Sequence, residues 1–325
     1  MGATGLGMKS HLGWGEESTY GTAVARPYFV EINNESIIKE DQRLETNSIT
    51  RRGTLNTKVQ QGGRSISGAF EFDCPYGGVE KLLKHAFGQI DTTSPDITNV
   101  PTAKTHTFTI ADTLPTGLTF EVWRDNSNFI TEANKAFVYA GGKITSMEFA
   151  CAVDEILRVT CNIFGQDESR ATKTTPSFYT DSLAVYHQGC LSWNTTSREV
   201  ESFNISLNNN LEMRPRLCSK LTREPYPAGK VEVTGSFVTE FSSWDMYDDF
   251  VNASERAMTM TFTGPTIGGS ISKSIVFTVG VSIISGCRVL LNNPGRIMME
   301  IDFKAFRTTS ANELVLAVTN TVTGA

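Results

Sequence analysis

Along most of the chain, apolar residues alternate with Thr, Ser or charged residues, a period-two pattern typical of half-buried β-strands. The clearest predicted strands are 105–110, 118–123, 156–161, 257–262 and 297–303. Hairpin turns are predicted where glycines occur in pairs, at Gly62-Gly63, Gly141-Gly142 and Gly268-Gly269. These patterns predict a mainly β, antiparallel protein.

Two segments have helical spacing instead. Val79–Phe87 places its apolar residues on one face, and Gly88 is predicted to end that helix. Trp244–Val251 is the second predicted helix, and Ser242 or Ser243 is its candidate N-cap. On this second helix we expect a solvated acidic face, formed by Asp245, Asp248 and Asp249, opposite an apolar face of Trp244, Tyr247 and Val251.

Each predicted helix follows a nearly identical strand, which reveals an internal repeat. Ile66–Phe70 aligns with Val233–Phe237 at an offset of 167 residues. The same offset pairs Gly62 with Gly229 and, further upstream, Leu44-Glu45 with Leu211-Glu212. Beyond the helices, after a gap, Glu155–Phe164 aligns with Ile297–Phe306.

The repeat predicts two tandem β-domains, each a sandwich or barrel with one flanking α-helix. The predicted divisions are an N-terminal arm (1–25), a first domain (26–167), a Thr- and Ser-rich linker (168–190), a second domain (191–308) and a C-terminal arm or strand (309–325). Both copies contain a long polar stretch, at about 44–62 and 211–229. We interpret each stretch as a hairpin arm or projecting loop; the alternative is a disordered surface loop.

Composition narrows the range of functions. The 325 residues suffice for two cores, and no apolar run is long enough for a membrane helix or a signal peptide, which predicts a soluble protein made in a cytosol. Six cysteines without a CxxC pair predict reduced, mostly buried thiols. The net charge of −6 argues against a protein that binds the nucleic-acid backbone, but it does not argue against one that DNA merely passes.

Motifs for catalysis are missing from the sequence. Gly2–Ser10 resembles a phosphate-binding loop, but its lysine is misplaced and no predicted strand precedes it. The four histidines are scattered singly, and Cys151 with Cys161 predicts core packing instead of a zinc site. No GxSxG nucleophile motif occurs. We therefore predict no enzymatic activity, no metal and no cofactor.

Several motifs resemble the major tail tube proteins of long-tailed, siphovirus-like bacteriophages and related prophages. The resemblance is carried by Gly13–Thr22, Glu35-Ser-Ile37, Leu44-Glu45, Arg51-Arg52-Gly53, Gly68–Phe72 and Gly77–Gly88. The resemblance covers the N-terminal third directly and the remainder mainly through the repeat. The chain is similar to the type of tail tube protein that has two tube domains in one chain.

The resemblance implies a structural virion protein whose sheets join side by side into rings, which stack into the tail tube through which DNA is ejected. Such rings are six-fold or pseudo-six-fold, so three two-domain chains would close one ring; six chains, each with one domain outside, is the alternative. It also implies assembly in the host bacterial cytoplasm, location in the virion tail, contacts with tape measure, tail terminator and distal tail proteins, and passage of DNA without specific binding. No membrane partner is implied.

Candidate contact residues follow from the same resemblance. The predicted inter-ring contacts are Leu44, Glu45, Arg51, Arg52, Leu211, Glu212, Arg214 and Arg216. The predicted assembly arms contain Trp14, Tyr20, Leu314 and Val318. Two other functions compete with this one: a different β-sandwich virion or adhesion protein, and a carbohydrate-active or carbohydrate-binding protein. An adhesin is expected to carry a secretion signal, disulfides or tip repeats, and a sugar hydrolase needs paired carboxylates, none of which the sequence indicates.

Overall fold

The computed structural model describes residues 5–45, 59–129, 133–213, 217, 224–291 and 294–323. The strands of the N-terminal half are β1 His11–Glu16, β2 Tyr28–Val30, β3 Asn34–Glu35, β4 Ile38–Leu44, β5 Gln60–Asp73, β6 Gly88–Thr93, β7 Lys104–Ile110, β8 Leu118–Trp123, β9 Lys135–Ala152, β10 Arg158–Gly165 and β11 Asp167–Thr172. The later strands are β12 Gly189–Trp193, β13 Thr196–Arg198, β14 Val200–Asn208, β15 Leu211–Glu212, β16 Tyr226–Pro227, β17 Glu232–Glu240, β18 Arg256–Gly268, β19 Ile271–Leu290, β20 Met298–Ala305 and β21 Val315–Asn320. The helices are α1 Glu80–Phe87 and α2 Asp245–Val251. The prediction of a mainly β, antiparallel protein is confirmed.

An eight-stranded antiparallel sheet forms the centre of the fold. Its order is β4–β5–β10–β9–β14–β17–β20–β19. The first four strands come from the first copy of the repeat and the last four from the second. The copies meet where β9 pairs with β14.

Two long strands, β9 and β19, connect the central sheet to outer sheets. The first part of β9 pairs with β8 and β11, and its last part pairs with β10 and β14. Likewise, the first part of β19 pairs with β18 and β21, and its last part with β20. One cluster of buried side chains extends through both copies.

Two of the three predicted glycine-pair turns are wrong. Gly141-Gly142 lies inside β9, and the positive φ of Gly141 (69°) falls where this strand passes from the outer sheet to the central one. Gly62-Gly63 lies inside β5 at a register shift opposite Gln42, and glycine there marks a β-bulge. The third prediction is correct, since Gly268 and Gly269 join β18 to β19.

Both predicted helices are present, and Asp245 and Asp248 of α2 are exposed as predicted, but Asp249 and the expected apolar face are not placed as predicted. Asp249 is buried, and its carboxylate accepts hydrogen bonds from Trp193 Nε1 (3.2 Å) and Arg256 Nε (2.9 Å). Trp244 is 61% exposed and Val251 62% exposed. The helical pattern located the helix, but the position of Arg256 on β18 determines which face turns inward.

The repeat is present in the strand pairings. Gly68 of β5 lies opposite Ile163 of β10, and Gly235 of β17 lies opposite Phe303 of β20. Ile163 and Phe303 therefore occupy equivalent positions. The sequence alignment had matched Ile163 with Ala305, which is two residues further along the strand. A two-residue slip keeps every side chain on its own face, so the alternating pattern could not detect it.

Segments predicted as linker and arms contain strands of the fold. β11 lies mostly within 168–190, and β12 begins there. β1 pairs with β2 and β8, while β21 lies between β7 of the first copy and β19 of the second. Local composition in these segments is polar, but their backbone groups are paired through long-range contacts.

The glycine shared by the two repeats is required by close strand approach. A Cβ at Gly235 would lie 2.4 Å from the backbone oxygen of Asn204 and 2.5 Å from the Phe303 ring. At Gly68 it would lie 2.5 Å from the backbone oxygen of Ser36. Both glycines therefore allow a neighbouring strand to pack against them.

We expect Gly235→Ala to lower the free energy of unfolding by about 1–3 kcal/mol, because the added methyl group clashes with β14 and β20, the two strands that flank β17. Urea denaturation of the purified protein measures this loss. Ser236→Ala, one residue along the same strand and on its opposite face, is the matched control. A Gly235→Ala variant as stable as this control would contradict the explanation.

Candidate functional site

One face of the central sheet packs on the core and the other is polar. Along β14 the side chains Phe203, Ile205 and Leu207 are buried, whereas Asn204 and Ser206 face the other side. The same alternation occurs along β10 and β20. The polar face therefore extends across both copies of the repeat.

Carboxylates outnumber cations on this polar face. Among its described side chains, the acidic ones include Glu40, Glu71, Asp73, Glu148, Glu232, Glu240, Glu300 and Asp302, and the basic ones include Arg158, Arg288 and Lys304. The cations are paired with acids: Arg288 Nη1 lies 3.0 Å from Glu300, and Lys304 Nζ lies 3.1 Å from Glu232. A face of this kind does not attract phosphate groups.

The central sheet ends in two open edges. At one end, β3 and β4 pair with β5 on one side, and no described strand pairs with their other side. At the other end, the last part of β19 pairs with β20, and its outer side likewise has no partner among the described strands. We call these the β4 edge (residues 34–41) and the β19 edge (residues 285–291). Sequence reasoning missed both edges as candidate sites.

The bases of both predicted arms are antiparallel hairpins. Leu44 lies opposite Gln60, and Leu211 lies opposite Pro227, which are equivalent positions in the repeat. Leu44 is 50% exposed. Glu45 and Glu212 are also exposed, and Leu211 is half-buried. Arg51, Arg52, Arg214 and Arg216 lie outside the described residues.

The residues predicted for assembly arms lie largely inside the fold. Trp14 on β1 is completely buried, and Leu314 and Val318 are buried around β21. Tyr20 is half-buried, and burial, followed by the nearby Glu224 and Glu17, raises the pKa of its hydroxyl above the usual range. These side chains support the monomer's core.

A buried ionic network attaches the N-terminal segment to β8. Glu121 is completely buried. Its carboxylate accepts hydrogen bonds from Arg26 Nε (2.9 Å) and the Thr174 backbone amide (2.8 Å), and lies 3.3 Å from His11 Nε2. All three partners come from segments that sequence composition assigned to an arm, a domain start and a linker. This cluster has a structural role, since its carboxylate is completely buried and paired with Arg26.

A second cluster joins β1 to α1. Glu16 lies 2.9 Å from Lys84 Nζ, 3.1 Å from Lys81 Nζ and 3.3 Å from His85 Nε2. Its hydrogen bond with His85, together with the lysines, holds the pKa of the Glu16 carboxyl well below the usual range despite burial. Burial lowers the pKa of His85. A carboxylate held ionised by three partners attaches the helix to β1 and is not poised to accept a proton.

A cleft of about 870 Å³ lies beside the second arm. Its lining includes Lys143, Glu224, Tyr226 and Phe306, and Lys143 Nζ forms a 2.9 Å ion pair with Glu224. The lining mixes apolar surface with three ion pairs, Lys143–Glu224, Lys304–Glu232 and Arg307–Asp112, and contains no histidine, cysteine or serine. Such a surface suits packing of a protein segment better than nucleophilic chemistry.

The described cysteines are free thiols. Cys74, Cys151 and Cys161 are buried, Cys287 is half-buried and Cys190 is exposed. Burial, followed by nearby Glu80 and Asp73, raises the pKa of Cys74 to about 12. Within the described parts of the chain, no group of three or more His, Cys, Asp or Glu residues is placed to hold a metal ion. Nor does any helix there have the length and apolar character to cross a membrane.

Comparison with known proteins identifies the family. Residues 7–305 match a family model described as "Phage tail tube protein". No curated protein matches the sequence. The family match spans both copies of the repeat and the whole central sheet, so its coverage is far greater than half of the chain. The chain therefore belongs to the phage tail tube protein family, whose members are structural, non-enzymatic components of the virion tail.

Proposed function

We propose that this chain assembles with copies of itself into rings that stack to form the tail tube, the conduit for DNA ejection. The observation that carries the proposal is the central sheet, which has one polar face and two open edges. An open edge exposes unpaired backbone groups, and joining the edges of successive chains removes this liability. Because the chain belongs to the phage tail tube protein family, we expect the joined chains to form a tube.

Three chains per ring is the stoichiometry that the duplication favours. Each chain contributes two equivalent four-stranded units to the central sheet, so three chains supply six units with pseudo-six-fold symmetry. Six chains is the alternative, in which one unit of each chain lies outside the ring. Against it, both units here keep all four strands of the central sheet.

The polar face of the central sheet is proposed to line the conduit. DNA slides past a wall more readily when that wall does not bind phosphates, and this face has more carboxylates than cations. Its neutral side chains include Ser146, Thr160 and Ser206. Within the virion, we place the tube in contact with tape measure, tail terminator and distal tail proteins, after assembly in the host cytoplasm.

Electron microscopy of the purified protein, with mass measurement of the particles, tests this function. Hollow rings or tubes with three chains per ring are the expected result. Rings of six chains would replace the trimer by the alternative stoichiometry. Persistent monomers at high protein concentration would contradict self-assembly and favour a different virion or adhesion role.

The hairpin arms are proposed to contact the neighbouring ring. Because Leu44 lies opposite Gln60, the described residues Glu45 and Val59 that flank 46–58 are neighbours across the strand pair, and an Asn-Gly turn can replace that segment. We expect this variant to form rings that do not stack, because the contacts to the next ring are lost. Electron microscopy measures tube length, and an Asn-Gly replacement of Gly268-Gly269, a turn outside the arms, is the control. Tubes of normal length in the shortened variant would contradict the role of the arm.

A further inference from the structure

The junction between the two copies is a complete strand pair within one chain. β14 pairs antiparallel with the last part of β9, with Ile205 opposite Phe149 and Leu207 opposite Met147. All four side chains are buried. Beyond the paired strands, the Asn209 backbone amide donates to the Thr145 carbonyl (2.8 Å). This junction shows how one four-stranded unit attaches to the next.

The β19 edge is the second copy's counterpart of the β9 strand in that junction. Ala150 of β9 lies opposite Arg158 of β10. At the equivalent place in the second copy, Leu290 of β19 lies opposite Met298 of β20. The resemblance extends to an irregularity. Each strand has a register shift at the equivalent place, with Thr145 as the extra residue in β9 and Ser285 as the extra residue in β19. Bulges re-aim a strand, so the two strands present equivalent edges.

The β4 edge is likewise the first copy's counterpart of β14. Ile38 lies opposite Ser67, and Ser206 lies opposite Thr234. Ser67 and Thr234 each precede the glycine shared by the repeats. Ile37, next to Ile38, is completely buried, as is Ile205. The two strands therefore agree in both register and face.

We propose that the β19 edge of one chain pairs antiparallel with the β4 edge of a second copy, in the register of the internal β9–β14 junction. Transferring the pairs places Ile37 of the second copy opposite Val289 of the first chain, and Lys39 of the second copy opposite Cys287 of the first chain. The sheet then continues from chain to chain without a change of spacing or face. This inference rests on the proposed function and adds to it which edges meet and in what register.

Backbone directions at the β4 edge fit this pairing. The Ser36 backbone amide donates to the Ala69 carbonyl (2.8 Å), so it points toward β5. Directions alternate along a strand, which turns the amides of Ile37 and Lys39 to the open side. The backbone groups of Ile37 have only side-chain partners: the amide donates to Glu35 Oε2 (3.2 Å), and the carbonyl accepts from Arg124 Nη2 (2.8 Å) and the Tyr139 hydroxyl (3.3 Å). At the internal junction, the Asn209 amide likewise points toward the neighbouring strand, β9, as the amides of Ile37 and Lys39 point toward the open side.

The two helices differ in a way that the same pairing explains. α1 packs on β9 and is covered by later parts of the chain: Asn209 Nδ2 donates to the Ala86 carbonyl (3.0 Å). α2 packs on β19, next to the open edge, and leaves the side chains of Trp244 and Tyr247 61% and 37% exposed. In the proposed pairing, the second copy's β4 edge brings the base of its arm beside α2, as β14 brings Asn209 beside α1.

Cysteine cross-linking tests the register. We would make Lys39→Cys and keep the native Cys287, with Cys190 and Cys218 replaced by Ser in every variant. Assembled protein should form a disulfide between positions 39 and 287 of different chains under mild oxidation, mapped by mass spectrometry. The matched control is Asp41→Cys, two residues along the same strand face. It should cross-link about tenfold more slowly, because its Cα lies beyond disulfide range in this register.

A proline substitution tests the edge itself. Lys39→Pro removes an amide that points away from β5, so the monomer should keep its circular dichroism spectrum and lose ring assembly. Lys39→Ala keeps the amide and should assemble like the unmodified chain. Normal rings from Lys39→Pro, or faster cross-linking at 41 than at 39, would overturn the pairing while leaving the proposed function intact. An unmodified chain that forms no rings would overturn both.

Discussion

Glu121→Ala should lower the free energy of unfolding by about 3–5 kcal/mol, the usual loss when one partner of a buried ion pair is removed. Glu121 is completely buried, and the Arg26 side chain is only 15% exposed. Removing the carboxylate leaves the Thr174 amide without its acceptor and the guanidinium without its counter-charge. Urea denaturation of the monomer, followed by intrinsic fluorescence, measures the loss. Glu121→Gln keeps a neutral acceptor in place and should lose less than Glu121→Ala.

The same carboxylate makes stability depend on pH. Burial alone would raise the pKa of Glu121, but hydrogen bonds from His11, Thr174 and Arg26 outweigh burial and lower the pKa from 4.5 to about 2. A lowered pKa means that the unfolded chain takes up the proton first as the pH falls. The stabilisation by Glu121 is thus fully present above about pH 4.5 and is lost toward pH 2. If wild type and Glu121→Ala lost stability in parallel over this range, the network would not be the cause.

The second large effect concerns DNA passage. A triple variant with lysine at Ser146, Asn162 and Ser206 should still form tubes but release DNA much more slowly. These residues lie on the polar face, on the three neighbouring strands β9, β10 and β14, away from the open edges. Three lysines per chain would give the proposed conduit a repeated row of cations that binds phosphates.

Fluorescence measurement of DNA ejection from purified virions, together with tube length by electron microscopy, checks this prediction. Glutamine at the same three positions, also polar but uncharged, is the control. Because salt ions weaken the attraction between lysine and phosphate, ejection through the lysine variant should recover at high ionic strength. Ejection at the normal rate through lysine-containing tubes would show that the polar face does not line the conduit.

Several features were correctly predicted because local pattern determines them. Leu118–Trp123 forms a strand with the predicted bounds, and Gly88 ends α1 as predicted. The repeat around Gly68 and Gly235 was visible because both copies need a residue without a side chain at the same strand contact. Periodicity and special backbone positions are properties that a short stretch of sequence can specify.

Other features depend on neighbours that the sequence does not reveal. Asp249 was expected in solvent, but Arg256 and Trp193 hold it in a buried site. Gly62-Gly63 has the composition of a turn, yet Gln42 lies opposite it within a paired strand. The candidate edges were missed for the same reason. One signal was available, since the repeat makes residues 34–41 the counterpart of a strand that joins the two copies.

By itself the sequence determined the β-rich architecture, the two helices and the duplication, and its motifs resembled the family that the family match then identified. These follow from the alternation of side chains along a strand, which depends only on residues near each other in the chain. Tertiary structure decided which strands are neighbours, where β9 and β19 pass between sheets, and which edges remain open. Alternation specifies which face of a strand is buried, but pairing partners are set by long-range contacts, so the β4 edge and the β19 edge emerge only in the folded chain.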